Sequence, residues 1–441
     1  MKPENERTLG RLFLKMALIG LAGFGGGSAL IPLFEKVTAD GSLISREDLD
    51  RDIIVANITP GALPVEIASG LGKQFLGRPG MVCAAGALTL PGVLFTILIL
   101  VLFSVVPESL LLQIRYLSLG VSAGIIGLLF QYIGRVWTDP KNGNLRTPVI
   151  AVSLIVFLLA CGKNLRKLLP LPGDPLFAWS TLKILITAFI VILLYSLFRR
   201  IREHSGTEKI AFSFSLRDMI LDLTAWMLFM VFLSVPAFLV MKGGYHFQAR
   251  GFISSLLSFG GGDAFLTIAE GLFVQTDMVA EDYFYSQLIP VTNVIPGSIL
   301  CKMLAGCGYF LGFHQHGSIL QGILMAVSGA AVGIAASGMT FHFVDHLYGM
   351  FSHLPVFTEI SRWIRPIIAG LLFNIALSLL TSNINMAGTI GCSRAPLWLL
   401  SATLPILYVF LVGKKHLSTG KTLVILALLG IAAGNLLAAS V

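Results

Sequence analysis

A chain of 441 residues that is 55% hydrophobic and only 12% charged, with a mean hydropathy of +0.84, carries more apolar surface than a water-soluble core can bury. The excess must face lipid, which excludes an ordinary soluble enzyme. The formal charge of +8 lies mostly in short gaps between apolar runs, where Lys and Arg set topology and meet headgroups, so nucleic acid is not an expected partner.

In lipid every backbone N–H and C=O must be satisfied within the protein, which leaves helices or closed barrels. The apolar runs, such as 94–106 and 184–197, are continuous rather than alternating, so the expected fold class is all-α integral membrane. With about 20 apolar residues to a crossing, spans are predicted near 11–33, 53–77, 80–106, 110–136, 147–162 and 177–198. A basic loop, 199–217, and a span near 219–241 follow. Six more lie near 250–272, 284–312, 317–341, 361–381, 395–412 and 421–440, about thirteen in all. Lys2, Arg7, Arg11 and Lys15 precede the first apolar run, and no convincing small-residue cleavage site follows, so this run is expected to be an uncleaved span. Cys83, Cys161, Cys301, Cys307 and Cys392 form no C-x-x-C pair and are expected as packing residues, not disulfides or zinc ligands.

The chain repeats itself. Gly23-Phe24-Gly25-Gly26-Gly27-Ser28 recurs as Ser258-Phe259-Gly260-Gly261-Gly262-Asp263, and Glu35 matches Glu270. Glu47-Asp48 matches Glu281-Asp282, Asn57-Ile58-Thr59-Pro60-Gly61 matches Asn293-Val294-Ile295-Pro296-Gly297, and Gly70-Leu71-Gly72 matches Gly306-Cys307-Gly308. The offset stays between 234 and 236 residues, which argues for duplication. The organisation is then a first transmembrane repeat over 1–200, a basic loop and connecting span over 201–245, and a second repeat over 246–441. Six spans per repeat and one connector make the second repeat inverted. Lys and Arg counts favour a cytoplasmic N-terminus, with Lys73, Arg78, Arg135, Arg199, Arg200, Arg202 and Arg217 among the inside positive charges.

Glycine and proline at Gly25-Gly26-Gly27 and Pro60-Gly61, and at their second-half mates, would interrupt helices and leave half-helices or re-entrant hairpins. A helix N-terminus carries about half a positive charge and suits an anion. The candidate binding set is therefore Gly25, Gly26, Gly27, Ser28, Asn57, Thr59, Pro60, Gly61, Gly260, Gly261, Gly262, Asn293, Pro296, Gly297, Ser298 and Lys302. Asn57 and Asn293 are expected to donate to the anion or to cap the broken ends. The plain alternative for the glycines is close helix packing.

Glu66 and Lys302 occupy equivalent repeat positions, just beyond the Pro-Gly breaks and within apolar sequence. Charge at that depth pairs or lines a pathway. The two could form an ion pair, or Lys302 could attract the anion while Glu66 carries a coupling proton; snorkelling is the bland alternative. Asp263 stands where the first repeat has Ser28, as a proton-coupling candidate or a helix cap. The sequon-like Asn57-Ile58-Thr59 lies inside a span, and Glu35 and Glu270 can be span-end residues. His342 and His346 have metal-binding spacing but no identifiable third ligand.

Phe24-Gly25-Gly26-Gly27 with Pro60-Gly61, and Phe259-Gly260-Gly261-Gly262 with Pro296-Gly297, resemble the paired elements of the chromate ion transporter family. The resemblance covers most of both halves and is weakest in the last three spans of each. Ala62 and Ser298 depart from the Pro-Gly-Pro often found there. The resemblance implies a multi-pass protein of a bacterial or archaeal inner membrane, in a single-chain form with two inverted repeats, and export of chromate or a sulfate-like anion. The expected function is secondary active transport of small inorganic oxyanions coupled to protons. An anion channel and a membrane-embedded metalloenzyme are the alternatives; no nucleotide-binding loop is found, and no cofactor is expected. The expected partners are the oxyanion, membrane lipid and, left open, a second copy in a homodimer.

Overall fold

In the computed structural model the described residues are 8–22, 30–38, 45–105, 108–139, 143, 145–168, 179–203, 215–240, 244–258, 262–351, 355–390, 394–413, 415, 417 and 419–439. Among them the regular structure is helical, with no strand. The chain runs α1 (Leu9–Ala22), α2 (Ile31–Thr38), α3 (Arg46–Ile58), α4 (Leu63–Val105), α5 (Glu108–Thr138), α6 (Arg146–Ala160), α7 (Gly162–Leu168), α8 (Thr181–Glu203) and α9 (Leu216–Val240). The second half runs α10 (Gly244–Leu256), α11 (Gly262–Ala269), two π-helical stretches (Glu270–Val274 and Tyr283–Leu288), α12 (Ile289–Val294), α13 (Ile299–His316), α14 (Ile319–Phe351), α15 (Pro355–Ile390), α16 (Arg394–Gly413) and α17 (Thr419–Ala439).

Seven helical stretches among the described residues are long and apolar enough to cross a bilayer, within α4, α5, α9, α14, α15, α16 and α17. Their outward faces are what lipid requires: Phe232 and Leu239 of α9 are 78% and 82% exposed, and Leu399, Ile406 and Leu436 are likewise open. In contrast α1, α2, α3, α10 and α11 have 14, 8, 13, 13 and 8 residues. At 1.5 Å per residue each is well short of a hydrocarbon core of about 30 Å. These short helices flank the Gly-rich and Pro-Gly elements.

The chain divides into two compact units, each drawing on both halves of the sequence. The first comprises Met1–Leu98, Thr187–Phe265 and Pro296–Ile364; the second comprises Ile99–Ile186, Leu266–Ile295 and Arg365–Val441.

In the first unit, two hairpins repeat one design. The long α4 bends at Leu76 and Gly77 (φ 65°), so its first turns fold back along the rest. A Cβ on Gly72 would collide with the Gly80 carbonyl, and one on Gly80 with the Gly72 carbonyl. The hairpin of α13 and α14 turns at Gly317 (φ 66°), and a Cβ on Gly308 or Gly312 would strike the carbonyls of Met325 or Gln321. Small residues let helix backbones approach closely where lipid offers no hydrophobic drive to associate. The repeat pair Gly72 and Gly308 is thus explained by packing.

In the second unit, α5 packs on α17 through Gly120 and Gly430 and on α16 through Gly127, which lies against Tyr408. Buried amides and hydroxyls pair across helices: Ser122 donates to Asn383 at 2.6 Å, and Asn164 donates to Asn374 at 2.9 Å and to Ser378 at 2.6 Å. The Tyr285 hydroxyl donates to buried Glu270 at 2.8 Å, joining the two π-helical stretches. Exposed Glu35, the repeat mate of Glu270, has a different setting.

Candidate functional site

Both Pro-Gly elements break the helix at equivalent points. α3 ends at Ile58, Thr59 is extended (φ −89°, ψ 140°), and α4 begins at Leu63. α12 ends at Val294, Ile295 is extended (φ −81°, ψ 136°), and α13 begins at Ile299. Proline disfavours continuing the preceding helix because it has no N–H and its ring crowds the earlier turn. Gly61 and Gly297 then take φ of 146° and 99°, which a side chain resists.

Each break in the first unit is held by elements from the other half of the sequence. At the first, the Gly61 N–H donates to the Ser258 carbonyl at 2.7 Å, beside the second Gly-rich element. The Ala62 N–H donates to the Ser337 hydroxyl of α14 at 3.0 Å. At the second, Gly92 of α4 packs so closely that a Cβ there would stand 2.6 Å from the Pro296 carbonyl and 3.3 Å from Cδ of Lys302. A Cβ on Gly297 would meet the Gly20 carbonyl of α1 at 3.7 Å. The repeats are therefore interlocked at their breaks.

The two charged side chains turn back on their own breaks. Glu66 is fully buried, and its Oε1 occupies the space a Cβ on Gly61 would need. Neither carboxylate oxygen accepts a hydrogen bond, so Glu66 and Lys302 form no ion pair. Lys302 is 1% exposed, and its stem approaches the same point of Gly92 as the Pro296 carbonyl. Ser298 stands at the N-cap of α13, and its side chain makes no capping hydrogen bond to the helix. The first N–H groups of a helix lack partners within it, so the start of α13, with Lys302 one turn in, is electropositive.

The amides of Asn57 and Asn293 bond within their own helices. Each amide donates to the carbonyl four residues back, Asn57 to Ile53 at 2.7 Å and Asn293 to Ile289 at 2.9 Å. The Thr59 hydroxyl likewise donates to Val55 at 2.7 Å. Back-bonding of this kind satisfies one of the two amide hydrogens locally. Gly25, Gly26, Gly27, Ser28, Gly260 and Gly261 lie outside the described residues, as does the side chain of Asp263; Gly262 opens α11.

Sequence reasoning passed over a buried ionic cluster in the same unit. Asp222 of α9 has no exposed surface and receives Lys73 Nζ and, at 2.9 Å, Arg78 Nε. His346 Nε2 lies 2.9 Å from Oδ2, the oxygen that Lys73 also contacts. An acid inside an apolar span was the available signal; lacking a repeat mate, Asp222 did not stand out. Among the described residues no group of three or more His, Cys, Asp and Glu could hold a metal ion, and His342, fully buried, stacks on Trp226. In the second unit an apolar cavity of about 760 Å³ is lined by residues such as Phe130, Phe157, Phe373 and Trp398, a chemistry suited to hydrocarbon rather than to an anion.

Long lipid-facing helices, broken helices at repeated glycine and proline elements, and buried charge at the breaks define a multi-pass membrane protein of the transporter type. The sequence profile of the chromate transporter family matches residues 10–178 and 246–434, and the chain belongs to that family in a two-repeat form. It is also 36% identical over 90 residues to the uncharacterized transporter YwrA of Bacillus subtilis (strain 168), a match covering 20% of this chain. The chain spans about half the length of that curated relative. No solved structure matches the chain.

Proposed function

We propose that this chain is a secondary active transporter of small inorganic oxyanions of the chromate and sulfate type, coupled to protons. The observation that carries the reading is the chemical asymmetry of two equivalent breaks. At the second break, the uncapped start of α13 and the buried Lys302 favour an anion. At the first break, backbone donors are taken by Ser258 and Ser337, and the carboxylate of Glu66 lies against the chain. A carboxylate without donors, buried in apolar surroundings, is a group that gains from taking up a proton. Asp263 is a second coupling candidate by its place beside the Gly-rich element. In this reading the short helices pair across their breaks into discontinuous crossings, giving thirteen spans in two inverted repeats of an inner membrane, with the N-terminus cytoplasmic.

Purified protein reconstituted in liposomes tests it. Chromate or sulfate uptake should saturate, show counterflow and rise with an imposed pH gradient. Single-channel currents without counterflow would replace the reading with an anion channel. A thermal-shift screen against oxyanions ranks the substrates.

A further inference from the structure

The seam where α4, α9 and α14 meet in the first unit holds polar groups the anion site does not use. Its outer end is the Asp222 cluster. Arg78, bonded to Asp222, also bonds Asp218 at 2.9 Å, and these two side chains reach solvent, 39% and 55% exposed. Lys73 and His346 share Asp222 and approach each other to 3.4 Å. Nearby, Arg51 pairs with Asp345 at 2.7 Å, and Gln74 holds buried Asp52 at 3.0 and 3.1 Å.

One turn inward from Asp222 on α9 is Trp226, and one turn inward from His346 on α14 is His342. Their rings stack with centroids 6.5 Å apart. Both are buried, and neither the indole N–H nor either nitrogen of His342 has a hydrogen-bonding partner. Five residues further along α14, Ser337 reaches the first break, where both oxygens of Glu66 are also without partners. Buried polar groups are nearly always paired, so unpaired groups spaced along one seam call for a reason. Helix rise separates Ser337 from His342 by about 7.5 Å and His342 from His346 by about 6 Å. These steps exceed a direct hydrogen bond and suit bridging water.

We infer that this seam is the proton route to Glu66, with Asp222 and His346 collecting the proton and His342 relaying it. The balance is simple. A proton leaves the Asp222–His346 pair for one nitrogen of neutral His342, the proton on the other nitrogen passes on toward the break, and the carboxylate of Glu66 ends protonated. Exchange of the imidazole tautomer restores His342. Lys73 and Arg78 keep their bonds to Asp222 throughout. The inference rests on the proton-coupled reading above.

The test uses the full chain in liposomes with chromate as probe and an internal pH dye. Two rates are compared at equal pH: uptake driven by a proton gradient, and chromate counterflow without one. For His342→Gln and His342→Phe the ratio of driven uptake to counterflow should fall about tenfold, with a smaller fall for His346→Gln. Counterflow also reports that each variant is folded. Variants that keep the wild-type ratio would overturn the route and leave the proposed function standing. Wild-type protein with counterflow but no response to the gradient would overturn both the coupling and the route, and wild-type protein without chromate transport of any kind would overturn the proposed function itself.

Discussion

Glu66 and Lys302 hold one position in two repeats, carry opposite charges, and each fold back over their own break. Had they formed a pair, removing Lys302 alone would have stranded a buried carboxylate and hurt more than removing both. With no bond between them, the two changes should act independently. Lys302→Ala should weaken chromate binding about 10- to 100-fold, the worth of a hydrogen bond to a charged group at about 1.5–3 kcal/mol. Glu66→Gln should mainly flatten the pH dependence of uptake, and the double variant should show the sum of both effects within about 0.5 kcal/mol. Titration calorimetry on the four proteins checks this; a double variant healthier than Lys302→Ala would restore the ion pair. The positions of both residues were legible in the sequence, since a charge in an apolar run stands out. The residues packed at their breaks were not: Ser337 and Gly92 are ordinary span residues until the chain is folded.

Elements were legible wherever backbone chemistry alone decides. Proline and glycine end helices locally, so the breaks at Pro60-Gly61 and Pro296-Gly297 fall where the spacing put them. The same residue type serves another end where packing decides. Gly72 and Gly308 are repeat mates without a place at the breaks, and both close hairpins. Gly86, in the same long helix as Gly72, has nothing within 4 Å of a Cβ. Gly308→Ala should therefore lower the melting temperature in detergent by several degrees, because α13 must be pushed off the Met325 backbone, whereas Gly86→Ala should leave it within about a degree or raise it, alanine being the better helix former by about 1 kcal/mol. Nano-scale fluorimetry on the two variants decides it, and equal melting temperatures would reject the packing argument. The back-bonds of Asn57 and Asn293 were not legible for a related reason: an amide near the end of a helix finds a carbonyl four residues back before it finds anything distant.

At the scale of the whole molecule, the duplication was visible because five landmarks recur in order, and the family match over both halves agrees with it. The two compact units were not visible, because each is assembled from three separate segments of the sequence, and no local pattern records such a partition. Inversion of the repeats remains an argument from parity and has a direct check. Ser45 and Ala280, both exposed, lie in matched connections. Single cysteines there, in a background without other reactive thiols, should react with a membrane-impermeant maleimide from opposite faces. Labelling of both from one face would require parallel repeats and an even number of crossings between them.

The interlocking of the breaks also sets a schedule for synthesis. Ala62 finds its partner in Ser337, 275 residues later in the chain. At about 5–20 residues per second, a ribosome needs roughly 14 to 55 s to cover that distance. Through that interval the newborn first repeat has Glu66 in place and no α14 to bury it against. Its insertion is provisional, and the early helices must wait in the shelter of the translocon or of their own hairpin until the second repeat arrives. Slow codons or a stalled ribosome between the repeats would lengthen the wait, and a quality-control protease would have a half-made protein with an uncovered acid to recognise.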